Sequence, residues 1–426
     1  MFRPRHGIST LMFLLVILHD STIVKTTGKK RTRQHDTSNY VVDLQPMRLN
    51  YIDESCNDGS KAGFYFRPSA NSKAGLWVVF LEGGGWCYDK ESCATRFASA
   101  SGLMSSKNWE STKQESKGIL SQDCGVNPGF CEANHVYVRY CSSDGWSGDR
   151  VEKSDIGFSF RGARIVDELI TTLTTNASFG PMDPLEAKVL FTGCSAGGRG
   201  AMFNMDRVKS RLPNAYGLFD SGWWLAIDPM ARNSSHISLV QQAQLGYDLY
   251  NASLDESCLA SQIPTERWKC FFAPITLPFV QTPSLSQVFQ YDKFQLSEDT
   301  GGLKPPYDKE AAAYAEQFRS AMMQSFATVA DRRSHNDNND DDTGRISIYS
   351  PACYDHCSIE SSRFALTRPI APGGGGNGSS PTLSELVTEW FFNVSSSRRS
   401  SEHVEAMDSQ IRIIDACNSF NCSHSC

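Results

Sequence analysis

Gly193-Cys194-Ser195-Ala196-Gly197 follows directly on the apolar stretch Val189-Leu190-Phe191 and precedes a helical stretch from about Gly198 to Val208. A serine between small residues, at the junction of a strand and a helix, is the pattern of a nucleophile elbow. The two backbones pass close together at a strained turn, which lifts the hydroxyl above the sheet edge. The Ala196 amide and the dipole of the following helix then face negative charge developing on an attacked carbonyl oxygen. A bare GxSxG arises by accident in roughly one chain in ten of this length, so the flanking strand and helix carry the reading. A second glycine loop, Glu82-Gly83-Gly84-Gly85-Trp86, ends an earlier apolar run, where this architecture sets its other oxyanion donor.

A serine hydroxyl attacks only when an imidazole takes its proton, and that imidazole needs a carboxylate to fix its tautomer. With such an elbow the chain order is serine, acid, histidine. The downstream histidines are His236, His335, His356, His403 and His424. His335 lies in a polar run, and His403 and His424 in polar terminal context. His356 is the favoured base, because it follows the strand-like 345–350, then Pro351, inside a Cys353-to-Cys357 bracket able to pin its loop. Asp292 closes the segment 285–291 and is the best-placed acid; its plain alternative is a turn or helix cap. Asp220 comes too soon after the elbow helix to be that acid, and is expected to help shape the site.

These side chains need a scaffold that holds three distant segments together. Leu76–Leu81 reads as a buried strand running into the glycine loop, with further strands at 136–140 and 188–192. Between them, Ile165, Val166, Leu169, Ile170 and Leu173 recur at the spacing of one helix face within 158–175. Strands alternating with helices predict an α/β-hydrolase fold with a mostly parallel sheet. Residues 41–426 are expected to form one domain carrying mobile insertions near 334–343, an Asn/Asp run, and 371–380, a Gly/Ser-rich segment. The Asn/Asp run lacks the glycine and terminal Glu of an EF-hand loop. No metal and no cofactor is expected.

Composition narrows the class. The 426 residues carry 41 Lys and Arg against 47 Asp and Glu, a formal charge of −6, which gives no drive toward nucleic acid or anionic membranes. Arg3, Arg5 and His6 precede an apolar run at 8–18 that is too short to cross a bilayer, so residues 1–25 read as a secretory signal peptide. A basic leader follows over 26–40, with Lys29, Lys30, Arg31 and Arg33. No later segment is long and apolar enough to span a membrane. All 14 Cys lie downstream, even in number and dispersed, as an oxidised framework requires and zinc does not. Cys87 with Cys93, or Cys353 with Cys357, could close small loops, but the pairing stays open. Sequons at Asn176, Asn233, Asn251, Asn377, Asn393 and Asn421 suit a glycosylated secreted protein.

The chain resembles the pectin acetylesterase and Notum family of secreted α/β hydrolases from about Val41 to His356. The resemblance rests on Leu81-Glu-Gly-Gly-Gly-Trp-Cys87, Tyr140-Cys-Ser-Ser-Asp-Gly-Trp-Ser-Gly148, Phe160-Arg-Gly162, Gly193-Cys-Ser-Ala-Gly-Gly198, Asp220-Ser-Gly-Trp223 and Cys270-Phe-Phe272. It implies a nucleophile at Ser195, an acid at Asp292, a base at His356, and oxyanion amides from Gly84, Gly85 and Ala196. Trp86, Trp146, Trp223, Trp224, Phe271 and Phe272 are candidates to line a substrate pocket, and equally candidates for core. The resemblance implies a secreted serine carboxylesterase. Its expected substrates are acetyl esters of cell-wall polysaccharide, with the palmitoleoyl chain of a lipidated secreted protein as the alternative. A secreted binding protein that keeps the fold without turnover is the competing class.

Overall fold

The strand Leu76–Leu81 is buried along its whole length, and its side chains divide by period two between two cores. Trp77, Val79 and Leu81 pack in one with Val136 and Phe191, while Leu76, Val78 and Phe80 pack in the other with Tyr137 and Leu190. A strand apolar on both faces belongs at the centre of a parallel sheet covered by helices on each side. The computed structural model describes residues 47–69, 75–114, 117–176, 182–230, 237–336, 346–370, 380–396 and 411–417. The signal peptide and leader lie outside them, as do residues 371–379, His236, His403 and His424, and the sequons at Asn233, Asn377 and Asn421. The three described sequon residues, Asn176, Asn251 and Asn393, are exposed.

The described strands, in chain order, are β1 (Met47–Ser55), β2 (Lys61–Arg67), β3 (Leu76–Leu81), β4 (Thr112–Lys113), β5 (Asn134–Val138), β6 (Lys188–Cys194), β7 (Ala215–Asp220), β8 (Ser284–Gln287), β9 (Tyr291–Asp292), β10 (Ile346–Ser350), β11 (Tyr354–Asp355) and β12 (Arg412–Ile414). Ten of them form one sheet in the order β12-β10-β8-β7-β6-β3-β5-β2-β1-β4. From β12 to β5 neighbouring strands are parallel; β2, β1 and β4 add an antiparallel edge. Helices α1 (Lys90–Ser99), α2 (Gly162–Thr175), α3 (Ala196–Arg211) and α4 (Leu239–Tyr250) follow β3, β5, β6 and β7. The residues from Val42 onward make one compact unit. No helix among the described residues is long and apolar enough to cross a membrane.

Two expectations change. The strand foreseen at 136–140 is Asn134–Val138, because the Tyr140 amide leaves the ladder and donates to Glu82 Oε2 at 2.8 Å instead. The polar run at 334–343 is not all loop: the helix Lys309–Asn336 continues into it, since an Asn/Asp-rich sequence can still extend a helix already nucleated upstream. Residues 337–343 lie outside the described residues.

Candidate active site

Strand β6 ends at Cys194 and helix α3 begins at Ala196, so Ser195 alone makes the turn. Its backbone sits at φ +59° and ψ −122°, a conformation that costs an L residue about 1–3 kcal/mol. Close packing imposes it: a Cβ on Gly197 would stand 1.9 Å from the Leu81 carbonyl oxygen. The Ser195 amide donates to the Asp220 carbonyl at 2.9 Å, fastening the turn to β7. The Ser195 hydroxyl does not cap α3, so it remains open to other partners.

Asp292 and His356 are brought together by a second, two-stranded parallel sheet. Tyr291 pairs with Tyr354 and Asp292 with Asp355, which sets His356 one residue beyond the acid's row. His356 Nδ1 lies 2.7 Å from Asp292 Oδ2. The other oxygen, Oδ1, accepts the Gln295 amide at 2.9 Å and caps the helix Lys293–Asp299. One carboxylate therefore both caps a helix and contacts the imidazole. His356 Nε2 is buried and has no hydrogen-bond partner among the described residues, as is common where substrate closes the last contact. Burial alone would lower the affinity of this imidazole for a proton, but the charge and hydrogen bond of Asp292, helped by the charge of Asp220, raise its pKa above the ordinary 6.5.

The serine and histidine segments are joined covalently. Cys194, immediately before Ser195, is disulfide-bonded to Cys357, immediately after His356, with 5.6 Å between their Cα atoms and 163 positions between them in the chain. An imidazole nitrogen of His356 lies within 4.8 Å of both sulfurs, and because the sulfurs are bonded to each other they offer no thiolate to a metal. This corrects the expected bracket: Cys357 pins the histidine loop to the end of β6 rather than to Cys353. The proposed small loop between Cys87 and Cys93 is present, and three further bridges join Cys56 to Cys141, Cys124 to Cys131 and Cys258 to Cys270. Beneath the histidine loop, the buried Asp220 carboxylate accepts the amides of Ser358 at 2.7 Å and Ile359 at 2.8 Å, and the Ser221 hydroxyl at 2.9 Å. Burial pushes its pKa up to about 7 against those bonds.

The glycine loop faces the same turn. A Cβ on Gly83 would come within 3.2 Å of the Ser195 Cβ, while Gly84 and Gly85 take φ of +132° and +70°. The amides of Gly84, Gly85 and Ala196 donate to no acceptor among the described residues. Arg96, which sequence reading passed over, holds the loop: it donates to the Gly84 carbonyl at 2.6 Å and to Ser143 Oγ at 2.8 Å. Its signal lay only in being one of the two basic residues on α1, with Lys90. An unspent hydroxyl, an imidazole held by a carboxylate and three unspent amides are the parts that acyl transfer requires.

The aromatic candidates separate. Trp86, Trp224, Phe271 and Phe272 line a cavity of ≈ 20 Å³. Trp146 does not: it is fully buried under α3 and donates to the Glu82 carbonyl at 3.0 Å. Trp223 is also core, bonded to Ser325 Oγ at 2.9 Å and packed edge-on against Phe326. Both follow turn residues and read no differently in sequence from the pocket tryptophans. The cavity touches neither Ser195 nor His356; the link is Phe294, whose ring lies 5.7 Å from Trp86, 5.2 Å from Trp224 and 5.5 Å from His356.

A family model described as Pectinacetylesterase matches residues 8–426. The chain is 36% identical over 267 residues to palmitoleoyl-protein carboxylesterase notum2 of Xenopus laevis, covering 59% of this chain and 53% of that protein. It is 32% identical over 390 residues to palmitoleoyl-protein carboxylesterase NOTUM of Drosophila melanogaster, covering 83% and 54%. The chain thus spans about half the length of the relatives it matches. A crystal structure of the Wnt deacylase Notum from Drosophila superposes with a TM-score of 0.73 at 27% identity, covering 90% of this chain and 100% of the other.

Proposed function

The chain belongs to the pectinacetylesterase family, and from that membership and the Ser195 turn we propose that it is a secreted serine carboxylesterase. The observation that carries the proposal is the convergence just described: the Cys194–Cys357 bridge flanks both Ser195 and His356, and Asp292 holds the far nitrogen of the imidazole at 2.7 Å. His356 takes the Ser195 proton as the oxygen attacks an ester carbonyl. The amides of Gly84, Gly85 and Ala196 hold the oxyanion, the alcohol leaves with the proton, and water attacks the acyl-enzyme by the same route. No step calls on a metal or cofactor.

The substrate we favour is a short acyl ester on polysaccharide, because the cavity beside the site is small. The second reading, a lipidated secreted protein, is favoured by the names of the relatives, which are palmitoleoyl-protein carboxylesterases. The test is turnover of p-nitrophenyl acetate by the purified protein. Ser195→Ala should abolish it while leaving the thermal transition in place. Retained turnover in Ser195→Ala would refute the assignment.

A further inference from the structure

Arg199 lies one helical turn beyond Ser195, its amide bonded to the Ser195 carbonyl at 2.9 Å, so its side chain shares the serine's side of α3 and leans toward that end. It is only 6% exposed. The guanidinium carbon stands 4.1 Å from the centre of the Trp224 ring and 5.2 Å from each of Trp86, Phe203 and Phe271. One end donates to the Phe271 carbonyl at 3.1 Å, and Nε is buried with no partner among the described residues. Burial lowers its pKa to about 9, and no carboxylate among the described residues counters that. A buried cation is costly without a counter-ion, so its place here is a matter of shape and ring contact.

That shape decides the room in the aromatic cavity, which Phe294 joins to His356. Arg199, Trp86 and Trp224 share the wall of the ≈ 20 Å³ cavity, which has space for about one water. Trp86 and Trp224 also pack on Phe294, the ring against His356. The stack of guanidinium on indoles therefore stands between the catalytic histidine and the apolar space behind it. We propose that Arg199 is the specificity-determining residue for acyl-chain length: its side chain plugs the aromatic pocket and restricts the site to short acyl groups.

The proposal rests on the esterase reading, and one experiment separates the two. The full secreted protein is assayed on p-nitrophenyl esters from acetate to dodecanoate, as wild type, Arg199→Ala, Arg199→Met and Trp86→Ala. Wild type should lose kcat/KM by at least about tenfold between butanoate and octanoate. Removing the roughly six heavy atoms beyond Cβ in Arg199→Ala should raise the octanoate-to-acetate ratio by about tenfold or more, the scale on which an apolar pocket senses methylenes. Arg199→Met, which keeps bulk without charge, should hold the wild-type ratio. Trp86→Ala removes the same wall from the loop side and should lengthen the preference should Arg199→Ala fail to fold. Wild type that turns over octanoate as well as acetate overturns the proposal, as does an unchanged ratio in both alanine variants. A ratio raised equally in Arg199→Met would assign selectivity to charge and also overturn it. No turnover of any ester by wild type would instead sink the esterase reading.

Discussion

Replacing Asp292 by Asn separates catalysis from folding, because the two carboxylate oxygens have separate tasks. Oδ1 accepts the Gln295 amide at 2.9 Å and Oδ2 faces His356 Nδ1 at 2.7 Å. Asn has only one oxygen. If that oxygen keeps the cap, the amide nitrogen must donate to Nδ1, which forces the imidazole proton onto Nε2 and removes the base. The expected loss in kcat is roughly 10³–10⁴-fold, or about 4–5.5 kcal/mol of transition-state stabilisation. Asn is as good a cap as Asp, so the melting temperature should stay near that of wild type. If the amide turns the other way, the cap is lost at about 1 kcal/mol and more of the activity survives. The assay is kcat/KM for p-nitrophenyl acetate against pH, beside a thermal melt. In wild type the base must be neutral and its pKa is raised above 6.5, so the acid limb lies above pH 6.5; without the Asp292 charge it should move lower. Asp292→Asn within tenfold of wild type in rate, with an unmoved limb and an unmoved melting temperature, would refute this account.

Two further predictions follow from the same framework. Cys194→Ser with Cys357→Ser removes the tether between serine and histidine loops; a closure over 163 positions is worth about 2–4 kcal/mol. Stability should fall by that amount and kcat by more than KM rises, checked by denaturant titration and steady-state kinetics; an unchanged kcat would show that the β9–β11 pairing holds His356 without the bridge. Buried Asp220 and Asp299 have pKa values pushed by burial to about 7, and Asp144 to about 6, all from 3.8. Folding therefore takes up protons between pH 4 and 7, so the stability these groups contribute is full near pH 4 and is lost as pH rises through 7. The melting temperature should be higher at pH 5 than at pH 8, and the opposite order would contradict the assignment of these groups.

Much of this was legible because periodicity and local chemistry agreed. The six-residue apolar run at β3 needed burial on both faces, and the small residues around Ser195 needed a tight strand-to-helix turn; both are local demands that a sequence displays. Chain order and strand-end position singled out Asp292 and His356, which the fold sets in contact, but not the short β9–β11 pairing that joins them, since two-residue strands carry no pattern. The motif Ser142-Ser143-Asp144-Gly145-Trp146 could be recognised but not explained. In the fold, buried Asp144 accepts the Trp146 amide at 3.0 Å and the Gly162 amide at 2.8 Å, closing a turn with three residues at positive φ. Arg96, Arg199 and the Cys194–Cys357 pairing were out of reach for one reason: each acts across contacts between segments far apart in the chain.

The most direct test is covalent labelling of the purified protein with a fluorophosphonate, followed by peptide mass spectrometry. A single adduct on Ser195, abolished by His356→Ala in protein that still melts cooperatively, is the result expected. Labelling elsewhere, or an undiminished Ser195 adduct without the imidazole, would contradict it.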